Sequence, residues 1–195
     1  ATHPHADHIG SMAAVVDTFG CENFIMPEMV SYTRTFENML SSVEQAGCQT
    51  AYGVAGDTFT LGDAQLKLLW PTEGFDASDP NEISLVLQVT YGEYSFLLTG
   101  DAEKDAEEGF LSQVQPVTVL KAGHHGSDTS STEAFLQKAQ PEYVVISVGA
   151  GNSYGHPSPA MLERLDENCQ VLRTDEKGSI VFTVKEGELH VSTAR

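Results

Sequence analysis

The stretch that decides the fold lies at the amino end of the chain and reads Thr2-His3-Pro4-His5-Ala6-Asp7-His8-Ile9-Gly10. It places three histidines and one aspartate in the spacing His-x-His-x-Asp-His. Imidazole nitrogens and carboxylate oxygens are ligands that suit zinc, manganese or iron. Because alternate residues of an extended segment point the same way, His3 and His5 can reach one metal, and Asp7 and His8, past the turn, can reach a second. The spacing therefore predicts a site for two metal ions.

Length and composition favour one globular domain over residues 1–195, since 195 residues with 41% hydrophobic content can bury a full core. No run of about 18 apolar residues occurs, so we expect no membrane-spanning segment in this chain. The sequence starts two residues before His3. We therefore expect the strand that would carry this histidine, and with it a membrane region or another domain, to lie upstream.

The charge is strongly acidic, with 28 Asp and Glu against 10 Lys and Arg, a net charge of −18. This balance argues against non-specific binding to DNA or to an anionic membrane. A polyanionic substrate would have to be drawn in by metals and a few local groups. Cys21, Cys48 and Cys169 lack a C-x-x-C spacing, so we interpret them as packed thiols.

Helical and strand patterns mix along the chain without strict alternation. Apolar periodicity predicts helices over 9–19 and 33–46, and alternation predicts a strand over 64–70. Residues 84–91 and 94–99 read as a hairpin, and Ser130 with Glu133 reads as a capping box for a helix over 133–139. The pattern predicts an α/β (α+β) fold in which helices cover sheet layers.

Polar groups follow several of the expected strands, where binding sites are commonly built. Asp101 follows the apolar residues Phe96-Leu97-Leu98 and then Thr99-Gly100, and we expect it to bridge two metals. One of the adjacent histidines His124 and His125 can bind metal while the other lines the pocket, and spacing alone leaves the choice open. His156 can contact substrate or transfer a proton. Lys121 can pair with a substrate phosphate or remain a solvated strand-end lysine.

A resemblance to known proteins follows from these motifs taken together. The His-x-His-x-Asp-His motif, the Thr-Gly-Asp strand end and the His-Gly turn resemble the metallo-β-lactamase fold superfamily. A narrower similarity, to the hydrolase domain of the ComEC competence-protein family, covers Thr2 to about Thr183. The stretches that carry it are Ser84-Leu85-Val86-Leu87, Tyr91-Gly92, Leu97-Leu98-Thr99-Gly100-Asp101, Leu120-Lys121-Ala122-Gly123-His124-His125-Gly126-Ser127 and Tyr154-Gly155-His156-Pro157-Ser158-Pro159.

The resemblance implies a metallo-β-lactamase-like αββα sandwich, truncated at its amino end, with a dinuclear site between the sheets. It implies that His3 and His5 hold the first metal and that Asp7 and His8 hold the second. Asp101 would bridge the two ions, and His124 or His125 would complete the second site. On this reading the catalytic residues are Asp7, Asp101 and His156, and the cofactors are two divalent ions, zinc or manganese.

One departure from the superfamily pattern concerns the first metal. Many members have a further histidine some twenty residues before the bridging aspartate, and here that interval offers Asn81 and Ser84. Because neither is a strong ligand, we expect the first metal to be weakly held, exchangeable, or manganese. We assign substrate contacts to Asn81, Ser84, Lys121 and Ser127.

The function that the resemblance implies is metal-dependent hydrolysis of phosphate esters by a bridging hydroxide, as a phosphodiesterase or nuclease related to DNA uptake. The expected partner is a phosphate-ester substrate such as single-stranded DNA, and the expected location is the outer face of a bacterial cell membrane. Two alternatives stay open. One is a non-catalytic, degenerate hydrolase domain with a structural or weak metal site, and the other is a thioester or lactone hydrolase.

Overall fold

A computed structural model describes residues 1–195 as seven α-helices, eleven strands and two short 3-10 turns. The helices are α1 (Ala6–Ile9), α2 (Met12–Phe19), α3 (Arg34–Gln45), α4 (Lys104–Phe110), α5 (Glu133–Ala139), α6 (Pro159–Leu162) and α7 (Thr174–Lys177). The strands are β1 (Asn23–Met26), β2 (Gln49–Tyr52), β3 (Thr58–Leu61), β4 (Ala64–Trp70), β5 (Val86–Tyr91), β6 (Tyr94–Leu98), β7 (Val119–Lys121), β8 (Tyr143–Ile146), β9 (Gln170–Arg173), β10 (Ile180–Lys185) and β11 (Glu188–Thr193). The 3-10 turns are Leu111–Gln113 and Gly123–Gly126.

The main sheet has seven strands in the order β3-β4-β5-β6-β7-β8-β9. The pairs from β3 to β6 are antiparallel, and the pairs from β6 to β9 are parallel. The carboxyl ends of β6, β7 and β8 therefore meet at one edge of the sheet. Open sheets commonly bind ligands at such an edge.

A second, two-stranded sheet pairs β1 with β2 in parallel. Its helices α2 and α3 pack on a core that includes Val16, Phe24, Phe36 and Met39. At Gly53 the two sheets come so close that a side chain would collide, because a Cβ there would lie 2.5 Å from Leu68 Cδ1.

The larger core lies on the other face of the main sheet, under α4, α5 and α6. Its fully buried members include Phe110, Leu120, Phe135, Ile146 and Met161. The layer order is thus helices, two-stranded sheet, seven-stranded sheet, helices, which confirms the predicted mixed α/β sandwich. No helix of this fold is both long enough and apolar enough to cross a membrane.

The last three strands do not all join the main sheet. β9 joins the main sheet at its edge, but β10 and β11 form a separate antiparallel hairpin. That hairpin packs through Phe182 against Phe96 and Tyr143, with ring centroids 5.9 Å and 5.5 Å apart.

Two local predictions need correction. The helix expected over 9–19 is divided into α1 and α2, which meet at Gly10 and Ser11. The capping box at Ser130 is wrong, because the Ser130 hydroxyl is buried and donates to the Gly123 carbonyl at 2.8 Å. Thr132 caps α5 instead, accepting from the Phe135 N–H at 3.4 Å.

Two buried glutamates hold helix starts in place. Glu82 accepts from the N–H of Ala106 at 2.7 Å, in the first turn of α4. Glu107 accepts from the N–H groups of Ser131 and Thr132 at 2.6 Å and 2.8 Å, just before α5. A carboxylate at a helix N-terminus satisfies free N–H groups and complements the positive end of the helix dipole.

Glu107 makes stability depend on pH. Burial raises the pKa of its carboxyl to about 7, and the hydrogen bonds from Thr132 and Ser131 offset this only in part. The unfolded chain has the ordinary value of 4.5. Between these values the folded chain binds more protons than the unfolded chain, so this group's contribution to stability is lost as pH rises through about 7. The loss is on the order of 3 kcal/mol.

We predict that Glu107→Gln flattens the fall in stability between about pH 5 and 8, because the amide does not ionise. The check is urea unfolding across this range in the presence of a chelator, so that metal binding does not contribute. The control is Glu108→Gln, whose side chain is 65% exposed and should leave the pH profile unchanged. Equal slopes in wild type and Glu107→Gln would contradict the assignment.

Candidate metal centre

The amino-terminal motif lies between the two sheets, where backbone hydrogen bonds fix it. The Ala1 amino group donates to the Ile25 carbonyl at 2.8 Å, and the Leu85 N–H donates to the Thr2 carbonyl at 3.0 Å. These bonds tie the segment to β1 on one side and to the start of β5 on the other. The side chains that follow are therefore directed toward the carboxyl ends of β6, β7 and β8.

His3, His5 and Asp101 form one group of potential ligands. His3 Nε2 lies 3.1 Å from His5 Nδ1 and 3.7 Å from Asp101 Oδ2. His3 is fully buried, and Asp101 is 1% exposed. The alternation of His3 and His5 on an extended segment thus brings both rings to the same side.

Asp7, His8, Asp101 and His125 form a second group, and one ligand atom from each lies within 4.8 Å of all the others. His125 Nε2 is 3.2 Å from Asp7 Oδ2, 3.3 Å from Asp101 Oδ2 and 3.3 Å from His8 Nε2. His8 Nε2 is 3.1 Å from Asp101 Oδ2. Asp101 Oδ2 therefore lies beside both groups, at the centre of the six-residue cluster His3, His5, Asp7, His8, Asp101 and His125.

The donor set of this cluster fits divalent cations. Ligands placed about 2.0–2.1 Å from a tetrahedral zinc are separated by about 3.4 Å. The ligand-atom distances given above are close to this value, at 3.1–3.7 Å. Imidazole nitrogens face each other within each group, which costs energy unless a cation or proton lies between them. Asp101 Oδ1 is also buried without a hydrogen-bond partner.

Charge states within the cluster favour metal binding. Burial lowers the pKa of His3 to about 3, with the neighbouring His8 adding to the effect, so this imidazole is neutral near pH 7. Burial alone would raise the pKa of Asp101, but hydrogen bonds from His125 and His8 and the charge of Lys121 hold it well below its usual range. The hydrogen bond to Asp101 raises the pKa of His125. A proton therefore competes with a metal at His125, and metal affinity should fall as pH falls.

Outer hydrogen bonds orient the rings of the candidate ligands. His125 Nδ1 donates to the Ser147 carbonyl at 2.7 Å, which leaves Nε2 facing the cluster. His3 Nδ1 lies 3.2 Å from the hydroxyls of both Thr2 and Ser84. The Ser84 hydroxyl also accepts from the Asp101 N–H at 3.1 Å. Such outer partners fix the tautomer and orientation of metal-binding histidines.

The turn after β7 separates the two adjacent histidines. His124 and His125 both have left-handed backbone conformations, with φ of 41° and 54°. Left-handed non-glycine residues are strained and are found preferentially at functional sites. The turn directs His125 into the cluster and His124 toward Glu103, whose Oε1 lies 2.5 Å from His124 Nδ1. The structure thus brings His125, and not His124, to the other candidate ligands.

The four residues assigned to substrate contact occupy other positions around the centre. Ser84 lies behind His3, and Asn81 is buried, donating to Glu103 Oε1 at 3.4 Å. Lys121 donates to the Gly100 carbonyl and lies 3.5 Å from Asp101 Oδ1, so its charge is directed at that carboxylate. Ser127 is buried in a turn with Thr129, their hydroxyls 2.8 Å apart.

An open cavity of about 310 Å³ adjoins the cluster. Asp7 and His125 line it together with His156 from the loop after β8. The His156 ring lies 5.5 Å from that of His124. Burial and the neighbouring His124 lower the pKa of His156, so it is mostly neutral near pH 7. A substrate in this cavity would contact both the candidate ligands and His156.

Sequence reasoning overlooked several residues that support the site. Thr2 and Ser147 orient the rings of His3 and His125, and Glu103 contacts His124. Glu103 carried a usable signal, since it lies two residues beyond Asp101 in the same strand-end turn. Ser147 offered none, because its contribution is a backbone carbonyl that any residue type could supply.

Comparison with known proteins gives matches along most of the chain. Residues 1–150 match the family model described as the metallo-beta-lactamase superfamily. The ComE operon protein 3 of Bacillus subtilis is 34% identical over 187 residues, which cover 94% of this chain and 24% of that protein. The competence protein ComA of Neisseria gonorrhoeae is 37% identical over 133 residues, 66% of this chain and 19% of that protein. The recombination protein 2 of Haemophilus influenzae is 27% identical over 195 residues, 100% of this chain and 23% of that protein. The chain thus spans about a quarter or less of the length of these relatives.

Solved structures share the fold at low sequence identity. The metallo-beta-lactamase fold protein YhfI from Bacillus subtilis aligns with a TM-score of 0.57 and 9% identity, covering 98% of this chain and 75% of that chain. CmlA, a diiron beta-hydroxylase from Streptomyces venezuelae, aligns with a TM-score of 0.51 and 13% identity, covering 85% and 37% of the two chains. At such identities the likeness concerns the fold alone.

We predict that His125→Ala weakens zinc or manganese binding by more than about 100-fold, because losing a ligand should cost more than losing an outer partner, which costs about 10- to 100-fold. The matched control is His124→Ala, which should leave the affinity nearly unchanged because its ring hydrogen-bonds to Glu103 and to no candidate ligand. Competition titration with a metal-sensitive chelating dye would measure both. A larger loss in His124→Ala than in His125→Ala would reverse the assignment.

Proposed function

The chain belongs to the metallo-beta-lactamase superfamily, and from this membership we propose that it is a metal-dependent phosphodiesterase that acts as a nuclease. The observation that carries the proposal is the position of Asp101 Oδ2. It lies 3.1 Å from His8 Nε2, 3.3 Å from His125 Nε2 and 3.7 Å from His3 Nε2. One carboxylate oxygen is therefore available to both ligand groups, as a bridging ligand of a dinuclear site requires.

The proposed cofactors are two divalent ions, zinc or manganese. When bound, such ions polarise a phosphoryl oxygen and activate a water molecule for attack. His3 and His5 are proposed as ligands of the first ion, and Asp7, His8 and His125 as ligands of the second. Asp101 stays anionic between them because Lys121 and the histidines stabilise its charge.

The first group is the less complete of the two. The Ser84 hydroxyl contacts His3 through Nδ1, the ring nitrogen that does not contact His5, and the Asn81 amide nitrogen donates to Glu103. An ion in this group would rely on solvent or substrate oxygens for its remaining positions. Hard oxygen ligands of this kind suit manganese.

Assistance of the leaving oxygen is assigned to a histidine that lines the cavity. His156 lines that cavity with Asp7 and His125, and its neutral imidazole is proposed to assist the leaving oxygen by donating a hydrogen bond as the ester bond breaks. His124 is the second candidate for this step, since Glu103 fixes its ring through Nδ1.

DNA is proposed as the substrate on the strength of the relatives, whose names refer to competence and recombination. With a net charge of −18, the chain would have little general affinity for a polyanion. We therefore propose that a longer protein presents the strand to this domain at the outer face of the cell membrane. In that arrangement, local contacts at the cavity would be enough to hold the strand during hydrolysis.

We predict that Asp101→Asn lowers hydrolysis of a labelled single-stranded oligonucleotide by more than about 100-fold, because the shared anionic ligand is lost. The assay uses protein loaded with manganese or zinc, alongside thioester and lactone substrates. Urea unfolding of the same variant reports whether the fold is kept.

Three outcomes would contradict the proposal. Unchanged turnover in Asp101→Asn would remove the bridging role. Wild-type turnover of a thioester or lactone, but of no phosphodiester, would assign another hydrolase class. If Asp101→Asn loses both metal and folding stability, and wild type turns over none of the substrates, the metal site is structural and the domain is non-catalytic.

A further inference from the structure

The loop after β8 displays a large aromatic side chain to solvent beside the metal centre. Tyr154 is 82% exposed. Its ring stacks on that of His156, with the planes 14° apart and the centroids separated by 5.9 Å. An exposed tyrosine ring offers an apolar face and a polar edge to a ligand.

The loop that carries Tyr154 is held by the side chain of Asn152. The Asn152 amide nitrogen donates to the carbonyls of Gly149 at 3.1 Å and His156 at 2.7 Å. Its oxygen accepts from the N–H groups of Tyr154 and His156, both at 3.1 Å. Four hydrogen bonds from one side chain thus fix the loop backbone, and the ring is presented from a defined position.

Tyr154 and the candidate ligands line the same cavity of about 310 Å³. Asp7 and His125 belong to it together with Tyr154 and His156, and no lysine or arginine lines it. Lys121 lies instead against Asp101, at the edge of the main sheet. The lining of this cavity therefore offers a bound strand an aromatic face and no lysine or arginine side chain.

We propose that Tyr154, supported by His156, is a stacking platform for a nucleobase next to the scissile phosphate of a bound strand. The proposal rests on the proposed phosphodiesterase function. Stacking on an aromatic ring tolerates any base sequence, because every base has a π-face. Bases in a duplex are already stacked on their neighbours, so the platform selects against double strands.

The decisive comparison uses two single strands with the same phosphate backbone, one with bases and one with abasic residues throughout. In wild type the strand with bases should show a KM about 10- to 100-fold lower, the range expected for stacking of one base. Tyr154→Ala should bring the KM ratio of the two strands close to one with kcat largely kept, and Tyr154→Phe should retain the wild-type ratio. Tyr32→Ala is the matched control, because Tyr32 is 91% exposed and does not line the cavity.

A binding measurement separates this proposal from the proposed function. Fluorescence anisotropy of the two labelled strands, in chelator and without turnover, should show the same base preference and its loss in Tyr154→Ala. The stacking platform would be overturned, even if phosphodiesters are hydrolysed, by either of two results. One is equal affinity of wild type for both strands, and the other is a loss of affinity in Tyr154→Ala that is the same for both strands. Base preference in binding without hydrolysis of either strand would instead retain the platform and reject the phosphodiesterase.

Discussion

The arrangement of the site depends on one buried anion. Asp101 emerges from the end of β6 into a position that is 1% exposed, and a carboxylate in such a place requires compensating positive charge. Lys121 and two hydrogen-bonding imidazoles lower its pKa strongly, against the effect of burial. The surroundings of the preceding residue, Gly100, leave no room for a side chain. A Cβ there would lie 2.9 Å from the Cβ of Ser84 and 3.1 Å from the Cβ of Thr2. The carboxylate, the serine behind it and the amino-terminal segment are therefore packed as one unit.

The main sheet explains why distant residues meet at this anion. Its strands β6, β7 and β8 are parallel, so the turns that follow them lie side by side. The first turn supplies Asp101, the second supplies His125, and Ser147 after the third holds the His125 ring. Buried glutamates fix the helices behind these turns, Glu82 at the start of α4 and Glu107 at the start of α5. Each strand end is thus held by contacts that do not themselves take part in the chemistry.

The acidic composition of the chain and the lining of the cavity both disfavour binding of a polyanion through lysine and arginine side chains. The net charge of −18 opposes general attraction of a polyanion, and the cavity beside the cluster has no lysine or arginine in its lining. On the proposed function, metal ions at the centre would provide the positive charge that a phosphodiester requires, and the neutral ring of Tyr154 would provide contact without charge. Binding built in this way depends less on salt than binding through many lysine–phosphate contacts. The chain matches about a quarter of the length of two relatives, and the proposed function assigns delivery of the substrate to such a longer protein.

The sequence by itself determined the spacing of the candidate metal ligands and the mixed α/β layers, because ligand spacing and hydrophobic periodicity are local properties of the chain. The superfamily followed from the resemblance of its motifs to those of known proteins. It also indicated Asp101, since a polar residue directly after an apolar strand lies at a sheet edge. Three-dimensional contacts decided what adjacency in sequence could not. His124 and His125 have the same chemistry, and only the left-handed turn and the neighbours Glu103 and Ser147 distinguish them. Ser130 matched a capping box, but its hydroxyl was already bonded to Gly123. In each case the outcome depends on partners far away in the chain, whose positions are fixed only when the sheet has formed.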